Sequence, residues 1–300
     1  MSAQDDAERA ELRELVRSLS PRALGARAAR IPELYRGLSS APLPRKPKAL
    51  LFDVYGTLLV SAAGGDPLGQ LGSSKAAAPA AMNALEAELA QLGYAGGAGA
   101  FARAVGLAIE RANAARRPAV QHPEVDIEAL LGPMLPSASP RLLRRIALML
   151  ETALNPSGPM PGLARLVAGL AADGRPSGIV SNAQFYTTIV LEAHAGATDP
   201  LPFLPELTLL SYELGVAKPG PDAFARATER LSRWGIAPRE TVYLGNSHAN
   251  DVVPPRNLGC MTVLFAGDER SFRPADGDAA GLPDSVVDSL DAFAELVELG

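Results

Sequence analysis

Along the chain, short and fully apolar runs alternate with longer stretches in which apolar residues recur every three or four positions. The first longer stretch lies in the charge-rich residues 5–38. There Leu12, Leu15, Val16 and Leu19 share one helix face and predict an amphipathic helix that serves as a packing arm. "APLPRKPK" then breaks the helix and leads to an apolar run at 49–54, which reads as a buried strand. Between about residues 61 and 160 no strand pattern is present. A Gly/Ser-rich loop is followed by helical periodicity through "AMNALEAELAQLGY", "AFARAVGLAIERANAARR" and "PRLLRRIALMLETAL".

Beyond residue 160 the pattern changes to helix then strand. "GLARLVAGLAADG" precedes "SGIVSNA", "LPELTLLSYE" follows, "GPDAFARATERLSRWG" precedes "TVYLGNS", and "CMTVLFAG" comes after. Apolar strands separated by helices of this length indicate βαβ units and a parallel sheet. The expected fold is therefore α/β, a Rossmann-like parallel sheet with an inserted all-helical segment. The expected boundaries are a helical arm over 1–45, an α/β core from 46–60 and 161–300, and the helical insertion over 61–160. No internal repeat is evident.

Composition narrows the partners. A chain of 300 residues can bury a sizeable core. A formal charge of −5 with scattered Lys and Arg gives no electrostatic footprint for nucleic acid, so none is expected. The single cysteine, Cys260, cannot form an internal disulfide and fits a reducing compartment; at the start of an apolar strand it reads as buried and inert. The opening "MSAQDDAERAELREL" is acidic and lacks the apolar region of a secretory signal, and no window is apolar enough to cross a bilayer. A cytoplasmic protein acting on a small molecule, without a membrane partner, is the expectation.

In an open parallel sheet, ligands sit beyond the carboxyl ends of the strands. Reading the residues that end these strands gives Asp53 with Tyr55, Gly56 and Thr57, then Ser181 and Asn182, then Lys218 in "GVAKPG", then Asn246 and Asp251 in "GNSHAND". Singly, each is a common turn, cap or surface residue. Together they place two carboxylates, a lysine and hydroxyl groups on one rim.

Those four stretches, in this order, resemble the motifs of the haloacid dehalogenase (HAD) superfamily of hydrolases, and the resemblance covers about residues 48–298. "DVYGT", "IVSN", "AKPGPDAF" and "GNSHAND" stand for its four motifs, and the helical insertion for its first type of cap. The resemblance implies that Asp53 is a nucleophile forming an aspartyl intermediate, with Thr57 and Ser181 bonding the transferred group and Asn182 in the same site. It implies that Lys218 keeps Asp53 ionised and that Asp251 orients Lys218 or ligates magnesium. The implied metal set is Asp53, the main-chain carbonyl of Tyr55, Asn246 and Asp251.

Two positions depart from the phosphatase pattern: Tyr55 replaces a second acid, and Asn246 replaces an aspartate. The lost acid would protonate the leaving alcohol, a contribution of about 10²–10⁴ in rate. A halide needs no proton, and the dehalogenases of the superfamily carry Asp-x-Tyr-Gly-Thr. Against them, Asn246, His248 and Phe224 differ from their usual residues, and no single counterpart of their cap arginine stands out among Arg103, Arg111, Arg116 and Arg117. The expected function is magnesium-dependent hydrolysis of a small phosphorylated metabolite. The alternatives are metal-free 2-haloacid dehalogenation and a binding protein that has lost turnover. His248 reads as either a site group or a solvent-facing turn residue. In "QHPEVDIEALL", with His122 and Glu124, Asp126 is expected to cap a helix.

Overall fold

In a computed structural model of the protein, the described residues are 3–20, 24–64, 78–196, 200–276 and 281–299. The Gly/Ser-rich stretch expected as a loop falls mostly on residues 65–77, outside them.

Among the described residues eight strands form, in chain order: β1 (Ala49–Phe52), β2 (Leu59–Ser61), β3 (Ser157–Pro159), β4 (Ser177–Ser181), β5 (Thr208–Leu210), β6 (Thr241–Gly245), β7 (Met261–Phe265) and β8 (Ser285–Val287). Six of them make one sheet in the order β5-β4-β1-β6-β7-β8, every pairing parallel. β1, β4, β6 and β7 are buried along their whole length, as expected of a parallel sheet covered on both faces. This is the α/β Rossmann-like core read from the sequence. The chain builds outward from β1 through β4 to β5 and then crosses to β6, so the carboxyl ends of β1, β4 and β6 flank the crevice where the winding reverses.

Eleven α-helices are present among the described residues. In chain order they are α1 (Ala3–Leu19), α2 (Pro79–Gln91), α3 (Gly97–Arg116), α4 (Ile127–Met134), α5 (Pro140–Leu154), α6 (Leu163–Asp173), α7 (Thr187–His194), α8 (Ser211–Leu214), α9 (Asp222–Ser232), α10 (Val253–Asn257) and α11 (Leu290–Leu296). Helices α2 to α5 pack on one another between β2 and β3 in the chain. Their starts follow local chemistry. Asp126 accepts from the N–H groups of Glu128 (2.9 Å) and Ala129, capping α4 as expected, and Ser139 caps α5 ahead of Pro140.

The stretch 61–160 is not free of strands. β2 and β3 pair antiparallel, with Val60 opposite Gly158, and tie the two ends of the helical segment together. Ser-Gly-Pro carries none of the β-branched pattern that marks a strand, so the pairing is a tertiary effect. Also unforeseen are α7, β8 and α11.

The arm is a helix only as far as Leu19. Leu12 and Val16 bury their side chains, and α1 packs against both α5 and α7. Farther on, a 3₁₀ turn at Glu33–Leu38 buries Tyr35, and Ser40 N–H donates to Val286 O (2.8 Å), so this part of the arm lies along the edge strand β8. No helix of the described residues is long and apolar enough to cross a membrane.

Candidate active site

Asp53 is the first residue beyond β1, and its N–H still donates to Leu244 O of β6 (2.9 Å), which fixes its main chain to the rim. The chain then turns sharply at Gly56, which has φ of +84°. A Cβ there would lie 2.4 Å from Ser271 Cβ and 2.6 Å from Asn246 Nδ2, so only glycine lets the turn approach the 246 loop. Gly245 is constrained in the same way, since a Cβ would lie 2.5 Å from Asp251 Cβ. Gly56 thus lets the first stretch close on the fourth, and Gly245 lets Asp251 fold back against the end of β6.

One oxygen of Asp53, Oδ1, accepts from Ser181 Oγ and from Lys218 Nζ, both at 2.9 Å. Lys218 Nζ also donates to Asp251 Oδ1 (2.7 Å), Val180 O (3.1 Å) and Tyr243 Oη (2.8 Å). All of these side chains except Tyr243 come from strand ends or the loops beyond them, and all are buried. Burial works against the charge on Lys218, but the Asp251 and Asp53 carboxylates outweigh it and hold its pKa above the ordinary lysine value. The other oxygen of Asp251 accepts from Ser247 N–H (2.9 Å), so both its oxygens are engaged.

The second oxygen of Asp53, Oδ2, is 3.4 Å from Thr57 Oγ1, which is also 3.4 Å from Asn246 Oδ1. Asn246 Nδ2 donates to Ser271 O (2.5 Å), and this bond turns the amide oxygen toward Thr57 and Asp53. Asn182 does not bond Asp53 directly. Its side chain clamps the main chain of Lys218, accepting from the N–H (2.6 Å) and donating to the carbonyl (3.0 Å).

Beside the site a cavity of about 340 Å³ is lined by Tyr55 and Asn182 together with residues of helices α3, α4 and α5. Its wall is largely aliphatic, with two acids in it. Glu151 accepts from Asn155 Nδ2 (2.9 Å) and Tyr186 Oη (3.0 Å), and burial pushes its carboxyl up from the usual range. Burial likewise raises Glu124, which accepts from Ser211 Oγ and Val125 N–H. Tyr55 Oη sits 3.4 Å from Thr187 Oγ1, and burial together with the nearby Glu151 charge pushes its phenol well above the ordinary value.

A parallel sheet with a buried Asp-Lys-Asp cluster at its switch point meets a sequence match of the same kind: a family model for haloacid dehalogenase-like hydrolases covers residues 47–259. The chain belongs to this family. Among curated proteins, a glyceraldehyde 3-phosphate phosphatase of Methanopyrus kandleri is 33% identical over 95 residues, which are 30% of this chain and 39% of that protein. The chain therefore spans well under half the length of that relative. Among solved structures, a 2-haloacid dehalogenase from Pseudomonas syringae pv. tomato superposes with a TM-score of 0.54 at 19% identity, covering 84% of this chain and 98% of the other. A HAD phosphatase from Thermococcus onnurineus gives a TM-score of 0.50 at 20% identity, with coverage of 84% and 98%. Identities this low bear on the fold, which phosphatases and dehalogenases share.

Within this HAD-like hydrolase, Asp53, Thr57, Ser181, Lys218, Asn246 and Asp251 come together through direct contacts, while Tyr55 and Asn182 stand at the mouth of the cavity. His248 does not join them. It is buried, neither in the site nor facing solvent, with Nε2 3.1 Å from Gly281 O and its ring beside Tyr35. Arg116 spends its guanidinium on the carbonyls of Glu124 and Gly215, and Arg103, Arg111 and Arg117 are exposed. Cys260 is buried, its thiol pushed up to about 12. Sequence reading missed Tyr243, Glu151 and Tyr186. The only trace of the first was a tyrosine within the apolar run "TVYLG".

Proposed function

We propose that this HAD-like hydrolase cleaves small phosphate monoesters, with Asp53 as the nucleophile. The observation that carries the reading is the division of labour on Asp53: Lys218 and Ser181 hold Oδ1, leaving Oδ2 on the side of Thr57 and Asn246. Oδ2 attacks phosphorus, the P–O bond to the alcohol breaks, and an aspartyl phosphate forms. Water then cleaves it, releasing phosphate and restoring Asp53. Lys218 keeps the carboxylate ionised and, with the hydroxyls of Ser181 and Thr57, offsets charge on the phosphoryl oxygens. Asp251 and Tyr243 hold Lys218 in place, and Asn182 fixes the loop that carries it. Helices α2 to α5 act as the cap over this site.

A magnesium ion fits the residues present. The Asp53 carboxylate and the amide oxygen of Asn246, whose amide nitrogen is held by Ser271 O, would hold it, in keeping with a cation bound by one or two carboxylates together with substrate phosphate. When bound, it would supply positive charge to the phosphoryl group. Asp251, with both oxygens engaged, serves Lys218 in this reading rather than the metal.

Dehalogenation is the second reading, favoured by Tyr55. Against it, no cation for the substrate carboxylate lines the cavity among the described residues: the wall holds Glu124 and Glu151, and Arg116 is spent on main-chain carbonyls. A phenol held this far above its ordinary pKa is a poor proton donor, so phosphatase rates should depend steeply on the leaving group. The test is a screen of aryl, acyl and alkyl phosphates and 2-haloacids, each with and without magnesium. Turnover of aryl and acyl phosphates well ahead of alkyl phosphates, raised by magnesium, is the expected result. Halide release from a 2-haloacid without metal would move the function to dehalogenation.

A further inference from the structure

We infer that the cavity beside Tyr55 takes the leaving group and selects esters of uncharged, apolar alcohols over those carrying a second anionic group, an inference that rests on the phosphatase reading above. The apolar part of the wall comes from three helices, with Val105 and Ile109 of α3, Ile127 of α4, and Leu150 and Leu154 of α5. A volume of about 340 Å³ is enough for a substituted aromatic ring.

The polar side chains in the wall have already found partners within the protein. Glu151 is held by Asn155 and Tyr186, and Glu124 by Ser211 and Val125 N–H. Gln184 donates to Val125 O (2.8 Å) and accepts from Ile127 N–H (3.0 Å), so its amide is turned to the main chain. Such a wall offers a ligand mainly aliphatic contact. An alcohol with several hydroxyls would exchange water for groups that are already bonded and lose by it.

Charge points the same way. A carboxylate or second phosphate entering the cavity would be desolvated beside two acids, with no cation among the described residues that line it. The basic residues of α5 are engaged elsewhere: Arg141 pairs with Glu11, Arg144 lies over the Phe185 ring and near Glu8 and Glu128, and Arg145 pairs with Glu88.

The experiment uses the full chain and phenyl phosphates of nearly equal leaving-group pKa: the 4-methyl, 4-ethyl and 4-propyl esters, and the 4-(2-carboxyethyl) ester. Each added methylene should raise kcat/KM about three- to fourfold, and the carboxylated ester should fall below the propyl ester by about 10²-fold or more. Ile109→Lys, which brings a cation to a half-buried position of the wall, should narrow that gap at least tenfold. Melting temperature checks that the variant folds, and if it does not, the ester series alone decides. A flat series, or a carboxylated ester as good as the propyl ester, overturns the inference while leaving the phosphatase reading intact. Thermal stabilisation by the free phenols provides a readout without turnover. If no ester is cleaved but 4-propylphenol still raises the melting temperature more than its carboxyethyl analogue does, the cavity assignment stands and the reaction assigned to Asp53 fails.

Discussion

On the lysine side of Asp53, an ammonium, two carboxylates and a phenol lie within hydrogen-bonding distance of one another and are sealed from solvent at the ends of three strands. On the Tyr55 side, a cavity is walled by aliphatic groups and by two acids held by hydrogen bonds within the protein. The first region fixes charge in place, and every member depends on the others. The second leaves room, and its polar groups are withdrawn into internal bonds. Chemistry common to a family can reside in the first region and the choice of substrate in the second, which gives the two regions different sensitivities to substitution.

The largest effect is expected at the atom the two regions share. Asp53→Asn keeps shape and volume but removes the nucleophilic oxygen, and turnover of any substrate found should fall by about 10³-fold or more. Circular dichroism and melting temperature should show the fold retained. Activity near the parent level in this variant would end the aspartyl mechanism.

Next comes the cation. Lys218→Met leaves Asp53 and Asp251 facing each other in a buried site with nothing between them, a loss of about 3–5 kcal/mol when one partner of a buried charge cluster is removed. Denaturant unfolding measures it. Adding Asp251→Asn to the same chain should recover part of the loss, because one of the two stranded charges is gone. If the single variant is as stable as the parent, the cluster does not hold charge in the way described.

The contrast also explains what was legible in the sequence. The lysine side was readable because its residues end strands, and fully apolar strands are conspicuous: Asp53, Ser181, Asn246 and the loop bearing Lys218 each follow such a run or lead from one. Tyr243 escaped because an aromatic inside an apolar strand reads as core, and only the register of β6 against β1 reveals that its hydroxyl reaches Lys218. The cavity side was illegible for a different reason. Glu151 and Asn155, four residues apart at the end of α5, look like an ordinary polar helix face until Tyr186 arrives from another part of the chain. His248 belongs to the same class, since its burial is set by contact with Tyr35 and Gly281 from distant segments.

A smaller effect concerns the buried acids of the cavity. Burial raises the pKa of Glu124 in the folded protein above its value in the unfolded chain. The unfolded chain therefore gives up its proton first, and the stability contributed by the protonated acid is fully present below the unfolded pKa and lost as pH rises through the folded one. Each unit of elevation corresponds to about 1.4 kcal/mol across that window. Glu124→Gln, which cannot ionise, should flatten the decline in stability from the ordinary carboxyl range upward. An unchanged slope in the Glu124 variant would mean that the acid is solvated and that the cavity is wetter than its wall suggests.

The smallest effect is expected of an ion pair in the arm, which packs on α5 and α7 from outside. Helix α1 meets α7 of the core through Arg9, whose Nε lies 3.1 and 2.9 Å from the two oxygens of Glu192 while Nη2 bonds Thr188 Oγ1. It also buries Leu12 and Val16 against the same neighbours. The ion pair is partly exposed, with the two side chains 28% and 16% accessible, so solvent screens it. A double-mutant cycle on Arg9 and Glu192 should give a coupling of about 0.5–1 kcal/mol that shrinks with salt. Leu12→Ala should cost about 2–5 kcal/mol with no salt dependence, because it opens a void in a packed core. The ordering of the two is the point: if the charge pair outweighed the leucine, the arm would be an electrostatic latch released by salt, whereas the buried stripe of α1 makes it a permanent brace joining α5 to α7.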